Sequence, residues 1–328
     1  VRIAIIKLSA LGDIVHAMVV LQFIKKAHPD ARIDWVVEEA FVQILQNNPH
    51  IDTILPLNLK SIKKHKRNLL SEIKKVKTYA QKGYDVVIDA QGLLKSAIVA
   101  KLIASQTSVI VGFDKHSIRE KMASWFYDTK VSIAYEQNVI IRNMTLIAKA
   151  LSINLSIQDI LDKEPFLYTD STFEQKDYIL FVVGASKANK IYPKEKFLEL
   201  AKTLNEEITV VWGNETEKQS ALWLKERCNN ITLSPKGDLE ALKALIGSAK
   251  LVIGGDTGPT HLAWAMNIPS VALFGNTPAL RNSFATSINQ TIQSNSNVNA
   301  LRLNKNDFSI ESICPNDIVN LSKKILSY

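Results

Sequence analysis

The stretch KLSALGDIVHA (residues 7–17) follows the apolar opening run VRIAII, so a strand ends near Lys7 and a helix should begin near Gly12 and Asp13. A carboxylate at a helix start can be a plain N-cap that accepts backbone N–H bonds, worth about 1 kcal/mol. The same position suits a general base projecting toward a substrate, with Gly12 allowing that substrate close to the backbone. Lys7 also has two readings. Its ammonium can hold acceptor or phosphate charge, or its methylenes can lie on apolar surface while the charge reaches water.

A second cluster, GGDTGPTH (254–261), separates another apolar run from the apolar helix LAWAMNI. Gly255, Gly258 and Pro259 fit a tight turn and helix start, so free N–H groups between Thr257 and Thr260 can converge on an anion such as a diphosphate. Asp256 and His261 flank that turn; as a mere cap and a mere helix residue they would do no chemistry. GASKANK (184–190) ends a further apolar run, and its Ser186 hydroxyl and Lys190 ammonium are candidate phosphate contacts. In WGNETE (212–217), Glu217 can hold sugar or ribose hydroxyls, or simply be a first-turn acid favoured by the helix dipole.

Between residues 60 and 77 lie eight basic residues, Lys60, Lys63, Lys64, Lys66, Arg67, Lys74, Lys75 and Lys77, and one acid, Glu72. Such a run is usually a solvated face, yet clustered cations also attract nucleic acid, anionic lipid or phosphorylated glycolipid. Aromatic residues for base stacking are nearly absent, with only Tyr79 nearby, which disfavours nucleic acid.

The elements that must position these residues alternate. Residues 1–110 give RIAIIKL, a helix from about Ile14 to Ala27, RIDWVVEE, a basic helical stretch near 69–82, and YDVVIDA, the rhythm of a parallel sheet with crossover helices. A helix-rich middle, about 117–152, leads to a polar passage with Pro165 that serves as linker. The rhythm restarts with YILFVVGAS, ITVVWGN, ITLSP, KLVIGGD and SVALFGN, separated by helices after Pro193, from about Thr216, from about Leu239 and beyond Gly258. TSINQTIQSNSNVN (286–299) reads as loop, and Pro315 opens a last amphipathic helix.

The expected class is α/β, with two doubly wound domains, residues 1–165 and 166–328, facing each other across a cleft. The last helix either stays in the second domain or packs back on the first. Ligands of open α/β sheets bind outside the carboxyl ends of the strands, which is where these motifs fall.

Hydrophobic residues at 46% and charged residues at 22% of 328 describe an ordinary globular protein. Cys228 and Cys314 form no CxxC pair, so neither a disulfide framework nor a zinc site is expected and a reducing compartment fits. No run approaches the roughly 18 apolar residues of a membrane span, and no secretory pattern opens the chain, so the expected location is cytoplasmic. GxxxxGK[ST], HExxH and GxSxG are missing, and no GxGxxG follows the first strand, which counts against nucleoside triphosphatases, zinc proteases, serine hydrolases and ordinary NAD dehydrogenases.

Together the motifs resemble the lipopolysaccharide heptosyltransferases, bacterial enzymes with the two-domain GT-B fold built from Rossmann-like halves. The likeness covers most of the chain in order: KLSALGDIVHA, IDWVVEEAF (33–41), YDVVIDAQGLLKSA (84–97), WGNETE and GGDTGPTHLAWAM, ending in ALFG. WVVEE favours the type I members. The resemblance implies inverting transfer of L-glycero-D-manno-heptose from ADP-heptose to the first Kdo of Kdo-lipid A. It also implies no nicotinamide or flavin cofactor, peripheral contact with the cytoplasmic face of the inner membrane, and no nucleic acid.

Residue by residue, the resemblance makes Asp13 the catalytic base, and Lys190 and Glu217 donor-binding. Asp256, Thr257, Gly258 and His261 match the diphosphate and heptose site, with Ser186 beside the diphosphate. Lys63, Lys64, Lys66, Arg67 and Arg119 match cationic positions for the acidic acceptor, near which Lys7 and Gly12 also fall. Ala185-Ser186 replaces a pair of threonines frequent in relatives, leaving one hydroxyl contact fewer. Lysines in 62–67 stand where relatives carry more arginine, which weakens bidentate recognition of carboxylates. Three other readings stay open: a type II enzyme acting on heptosyl-Kdo-lipid A, a GT-B nucleotide-sugar epimerase, and a non-enzymatic polyanion-binding protein.

Overall fold

Short runs rich in Ile, Val and Leu, buried on both faces, become the central strands of two parallel sheets. The computed structural model describes residues 1–169, 174 and 176–327, and all of their side chains except those of Lys63 and Lys64. It divides into two units, Val1–Tyr168 and Thr169–Tyr328. In the first unit the strands are β1 (Arg2–Ile6), β2 (Arg32–Glu38), β3 (Thr53–Leu57), β4 (Val86–Asp89), β5 (Val109–Phe113) and β6 (Thr129–Val131). In the second they are β7 (Ile179–Val182), β8 (Ile208–Val211), β9 (Ile231–Leu233), β10 (Leu251–Gly255), β11 (Ser270–Phe274) and β12 (Asn289–Gln293).

The sheet orders are β3-β2-β1-β4-β5-β6 and β12-β11-β10-β7-β8-β9, with every pair parallel. Each is therefore doubly wound, its first strand central and the winding direction reversing beside it. That reversal creates a crevice at the carboxyl ends, between β1 and β4 in one unit and between β7 and β10 in the other.

Helices cover both sheets because their apolar residues recur on one face. The helix Val139–Leu151 is capped by Asn138, whose Oδ1 accepts from Ile140 N at 2.9 Å, and it buries Ile140, Leu146 and Ile147. In the second unit Phe197 packs at 5.0 Å from the Phe181 ring and edge-on to Tyr192 at 5.3 Å. The last helix, Pro315–Leu326, packs on the helix Lys194–Leu204 and on β11, both in its own unit.

Three local expectations change. The segment expected as one helix from Ile14 is two, Leu11–Met18 and Val20–Ala27. The stretch 117–152 holds a 3-10 turn (Lys121–Phe126) and β6 before its only α-helix. The polar passage 286–299 contains β12, an edge strand. Its amides are used there: Asn289 Nδ2 donates to Ile268 O at 2.7 Å, and Gln293 Nε2 to Gly275 O at 2.8 Å. Polar composition hid a strand whose amide side chains satisfy backbone carbonyls while Ile292 packs against the core.

Candidate functional site

Because β7 and β10 are neighbours, the segments following them meet at the second unit's crevice. Lys190 sits in the 3-10 turn Ala188–Lys190, and its Nζ donates to Asp256 Oδ2 at 2.5 Å and to Asp256 O at 3.3 Å. Thr277 Oγ1 and Asn282 Nδ2 donate to the same carboxylate oxygen at 2.7 and 3.3 Å, while His261 Nε2 lies 3.0 Å from Oδ1. Asp256 is 7% exposed. Burial alone would push its carboxyl up, but the His261 hydrogen bond and the Lys190 ammonium outweigh that and hold it well below the usual carboxylate range. It is an anion at any physiological pH. Gly255 permits this closeness, since a Cβ there would lie 2.5 Å from Lys190 O.

The helix Gly258–Ala265 begins directly behind this cluster, with Thr257 extended at its N-cap, Pro259 in its first turn and no side-chain cap. Its leading N–H groups, Gly258 and Thr260, are thus available to an anion. Ser186 is exposed in the loop after β7. Glu217, in the first turn of the helix Glu215–Lys225, accepts from Gly213 N and Asn214 Nδ2, both at 2.7 Å, while Asn214 Oδ1 accepts from Glu217 N at 3.0 Å. A Cβ at Gly184 would lie 2.1 Å from Glu217 Cδ, so this carboxylate lies against the carboxyl end of β7.

The first unit repeats the plan with different chemistry. Asp13 is exposed in the first turn of Leu11–Met18, and its Oδ2 accepts from Ala10 N at 3.2 Å; Gly12 beside it is half-buried. Lys7 is 8% exposed and donates to Ala90 O at 2.8 Å, which places its ammonium in the seam between β1 and β4.

Lys66 and Arg67 are exposed between the helices Leu59–Lys64 and Asn68–Ala80; Lys63 and Lys64 close the former, and their side chains lie outside the described residues. Glu72, the one acid of that run, is buried, accepts from Asn58 N at 2.8 Å and pairs with Lys75 at 3.0 Å. Its charge is used inside the fold. Arg119 is exposed after β5, 5.3 Å from the Tyr135 ring. The buried Arg142 guanidinium donates to Ser117 O at 2.6 Å and so braces the loop that carries Arg119.

Among the described residues no group of three or more His, Cys, Asp or Glu could hold a metal ion.

Residues 73–311 match glycosyltransferase family 9 (heptosyltransferase). The lipopolysaccharide heptosyltransferase 1 of Campylobacter coli is 39% identical over 99% of this chain and 98% of its own length. The chain belongs to glycosyltransferase family 9, the heptosyltransferases. The E. coli heptosyltransferase WaaC with ADP is similar over 99% of this chain and 100% of its own, with 27% identity and a TM-score of 0.83. WaaC with ADP-2-deoxy-2-fluoro heptose is similar over 97% of this chain and 98% of its own, with 28% identity and a TM-score of 0.79. The fold is accordingly that of the GT-B glycosyltransferases.

Several residues of this glycosyltransferase's crevices were not singled out in the sequence. Thr277 and Asn282 complete the shell around Asp256, and Asn214 holds Glu217. Thr277 carries the same signal as Asp256, a polar residue just behind a buried strand, and directly follows the run SVALFGN. Asn282 has no local signal, because only the fold of 275–282 brings it near.

Proposed function

We propose that this glycosyltransferase moves L-glycero-D-manno-heptose from ADP-heptose to the first Kdo of Kdo-lipid A, with inversion at the anomeric carbon. Asp13 takes the proton of the acceptor hydroxyl while that oxygen forms its bond to the anomeric carbon and the bond to the ADP oxygen breaks. One displacement from the opposite face inverts the centre. Lys190 and the N–H groups at the start of Gly258–Ala265 stabilise the charge building on the departing diphosphate, in a polar frame set before reaction. Asp256 keeps Lys190, Thr277 and His261 in place, Ser186 lies beside the diphosphate, and Glu217 accepts from ribose hydroxyls.

The observation that carries the reading is that each sheet has its charged motif residues at its own crevice: Asp13 in one unit, the Lys190–Asp256 pair and a helix start in the other. Relatives named lipopolysaccharide heptosyltransferase 1 and the ADP-heptose analogue named with WaaC support the type I reaction and the donor.

We further infer that the acceptor's carboxylates and phosphates are drawn to the charges of Lys63, Lys64, Lys66, Arg67 and Arg119, and that the protein works peripherally on the cytoplasmic face of the inner membrane. Exposed Lys66 and Arg67 adjoin exposed Leu69 and Leu70, a mixture suited to an anionic lipid surface. Cys228 and Cys314 are free, as a reducing compartment allows. No described helix is long and apolar enough to cross a membrane.

Asp13→Asn tests the mechanism. Asparagine can still accept from Ala10 N, so the fold should persist while turnover falls about 10²-fold or more. Near-normal turnover in the folded variant would leave Asp13 as a cap.

A further inference from the structure

We propose that Gln91 is a positioning residue for Asp13: its side-chain carbonyl holds the strand-to-helix loop that sets where the Asp13 carboxylate stands. The proposal rests on the reading of Asp13 as base. Three successive backbone N–H groups lead to that carboxylate. Leu8 N and Ser9 N both donate to Gln91 Oε1, at 2.9 and 3.1 Å, and Ala10 N donates to Asp13 Oδ2 at 3.2 Å.

The β1–β4 ladder pairs residues only as far as Ile6 with Asp89, so Leu8 and Ser9 have no strand partner on that side. The Gln91 carbonyl takes the place of one, and with two donors both of its lone pairs are occupied. On the other side Glu38 N donates to Leu8 O at 3.2 Å, so the loop is tied to the ends of both flanking strands.

Gln91 is itself fixed from below. Gln91 N and Gly92 N donate to Asp89 Oδ1 at 2.9 and 3.1 Å, while Ser96 Oγ and Tyr127 Oη donate to Oδ2 at 2.8 and 2.7 Å. Asp89 is 0% exposed, so these four bonds meet little competition from water. Gly92 turns with φ +68°, where a Cβ would come within 2.7 Å of Ile118 Cγ2, so the backbone following Gln91 has one course. Order runs from Asp89 through Gln91 to Leu8, Ser9 and Asp13, across the crevice where the sheet's winding reverses. A base misplaced by an ångström loses on the order of 10²-fold in rate, which is why an exposed carboxylate needs such a tether.

The test compares Gln91→Leu, which removes the acceptor oxygen, with Gln91→Glu, which keeps it, using ADP-heptose and Kdo-lipid A. Gln91→Leu should lower kcat about 10-fold to 10²-fold, with donor KM and the ADP-induced rise in melting temperature unchanged. Gln91→Glu should recover most of kcat. If Gln91→Leu melts below the assay temperature, Gln91→Ala, which admits water to the two N–H groups, carries the same expectation.

In an Asp13→Asn background the Gln91 substitution should add no further loss, because it acts only through Asp13. Wild-type kcat in the folded Gln91 variants, or an equal additional loss in that background, would overturn the proposal. Full activity of Asp13→Asn itself would instead overturn the reading of the base.

Discussion

Lys190 Nζ stands 2.5 Å from Asp256 Oδ2, joining the segment after β7 to the segment after β10 at the point where the second sheet's winding reverses. Both partners are largely buried, with side-chain exposures of 18% and 6%. The ammonium has three donors and gives one to the carboxylate and one to Asp256 O, so it can turn toward a diphosphate without leaving its partner.

ADP should therefore raise the melting temperature of the wild-type protein, as any ligand bound only to the folded state must. Lys190→Ala should remove most of that rise. The shift is compared with each variant's own ligand-free melt, because Asp256 loses a partner in the substitution. An undiminished ADP shift would place the diphosphate elsewhere.

Asp256 also sets an acid limit on stability. Its folded carboxyl is held below the usual range, whereas an unfolded aspartate titrates near pH 3.9. The stability it contributes is thus fully present above about pH 4 and is lost as pH falls below that. Asp256→Asn should lower the melting temperature at pH 7 and flatten its decline below about pH 4. Parallel acid limbs in the two proteins would mean that this carboxylate does not govern acid unfolding.

Gly184 offers a way to move Glu217 without deleting it. A Cβ there meets the end of a flexible side chain, 2.1 Å from Cδ, so Gly184→Ala should displace the carboxylate with little change in melting temperature. Donor KM should rise about 10-fold, on the order of one charged hydrogen bond lost, and acceptor KM should hold. Unchanged donor kinetics would remove Glu217 from ribose binding.

Motif positions were legible because a polar residue immediately behind a buried parallel strand is hard to explain by packing. Asp256 stands out that way, while Asp13, Lys190 and Glu217 come a little later, in the turn or first helical turn that follows β1, β7 and β8. Lys7 was legible as an anomaly but not in its geometry, because its partner Ala90 O is brought near only by β1–β4 pairing. The same holds for Gln91: DAQGLLKSA is visible as a motif, yet that its carbonyl meets Leu8 and Ser9 depends on strand order. β12 was hidden by its polar composition and β6 by its shortness. Edge strands need less apolar surface than the central strands that set the expected rhythm.

The basic segment makes a separable prediction. Replacing Lys63, Lys64, Lys66 and Arg67 by Gln should raise acceptor KM and flatten its dependence on salt, since screening weakens attraction between exposed charges. Donor KM should not change. If acceptor kinetics are unaffected with both a membrane-embedded acceptor and one lacking acyl chains, the segment is a solvated face and recognition rests on Arg119 and residues nearer Asp13.

Incubation with ADP-heptose, with and without Kdo-lipid A, and with ADP release and acceptor mass read together, separates heptosyl transfer from every other reaction of the donor. One ADP should be released for each acceptor that gains one heptosyl unit, inverted at the anomeric carbon, with little donor consumed when the acceptor is left out. Conversion of the donor sugar without acceptor, or ADP release with no gain in acceptor mass, would contradict it.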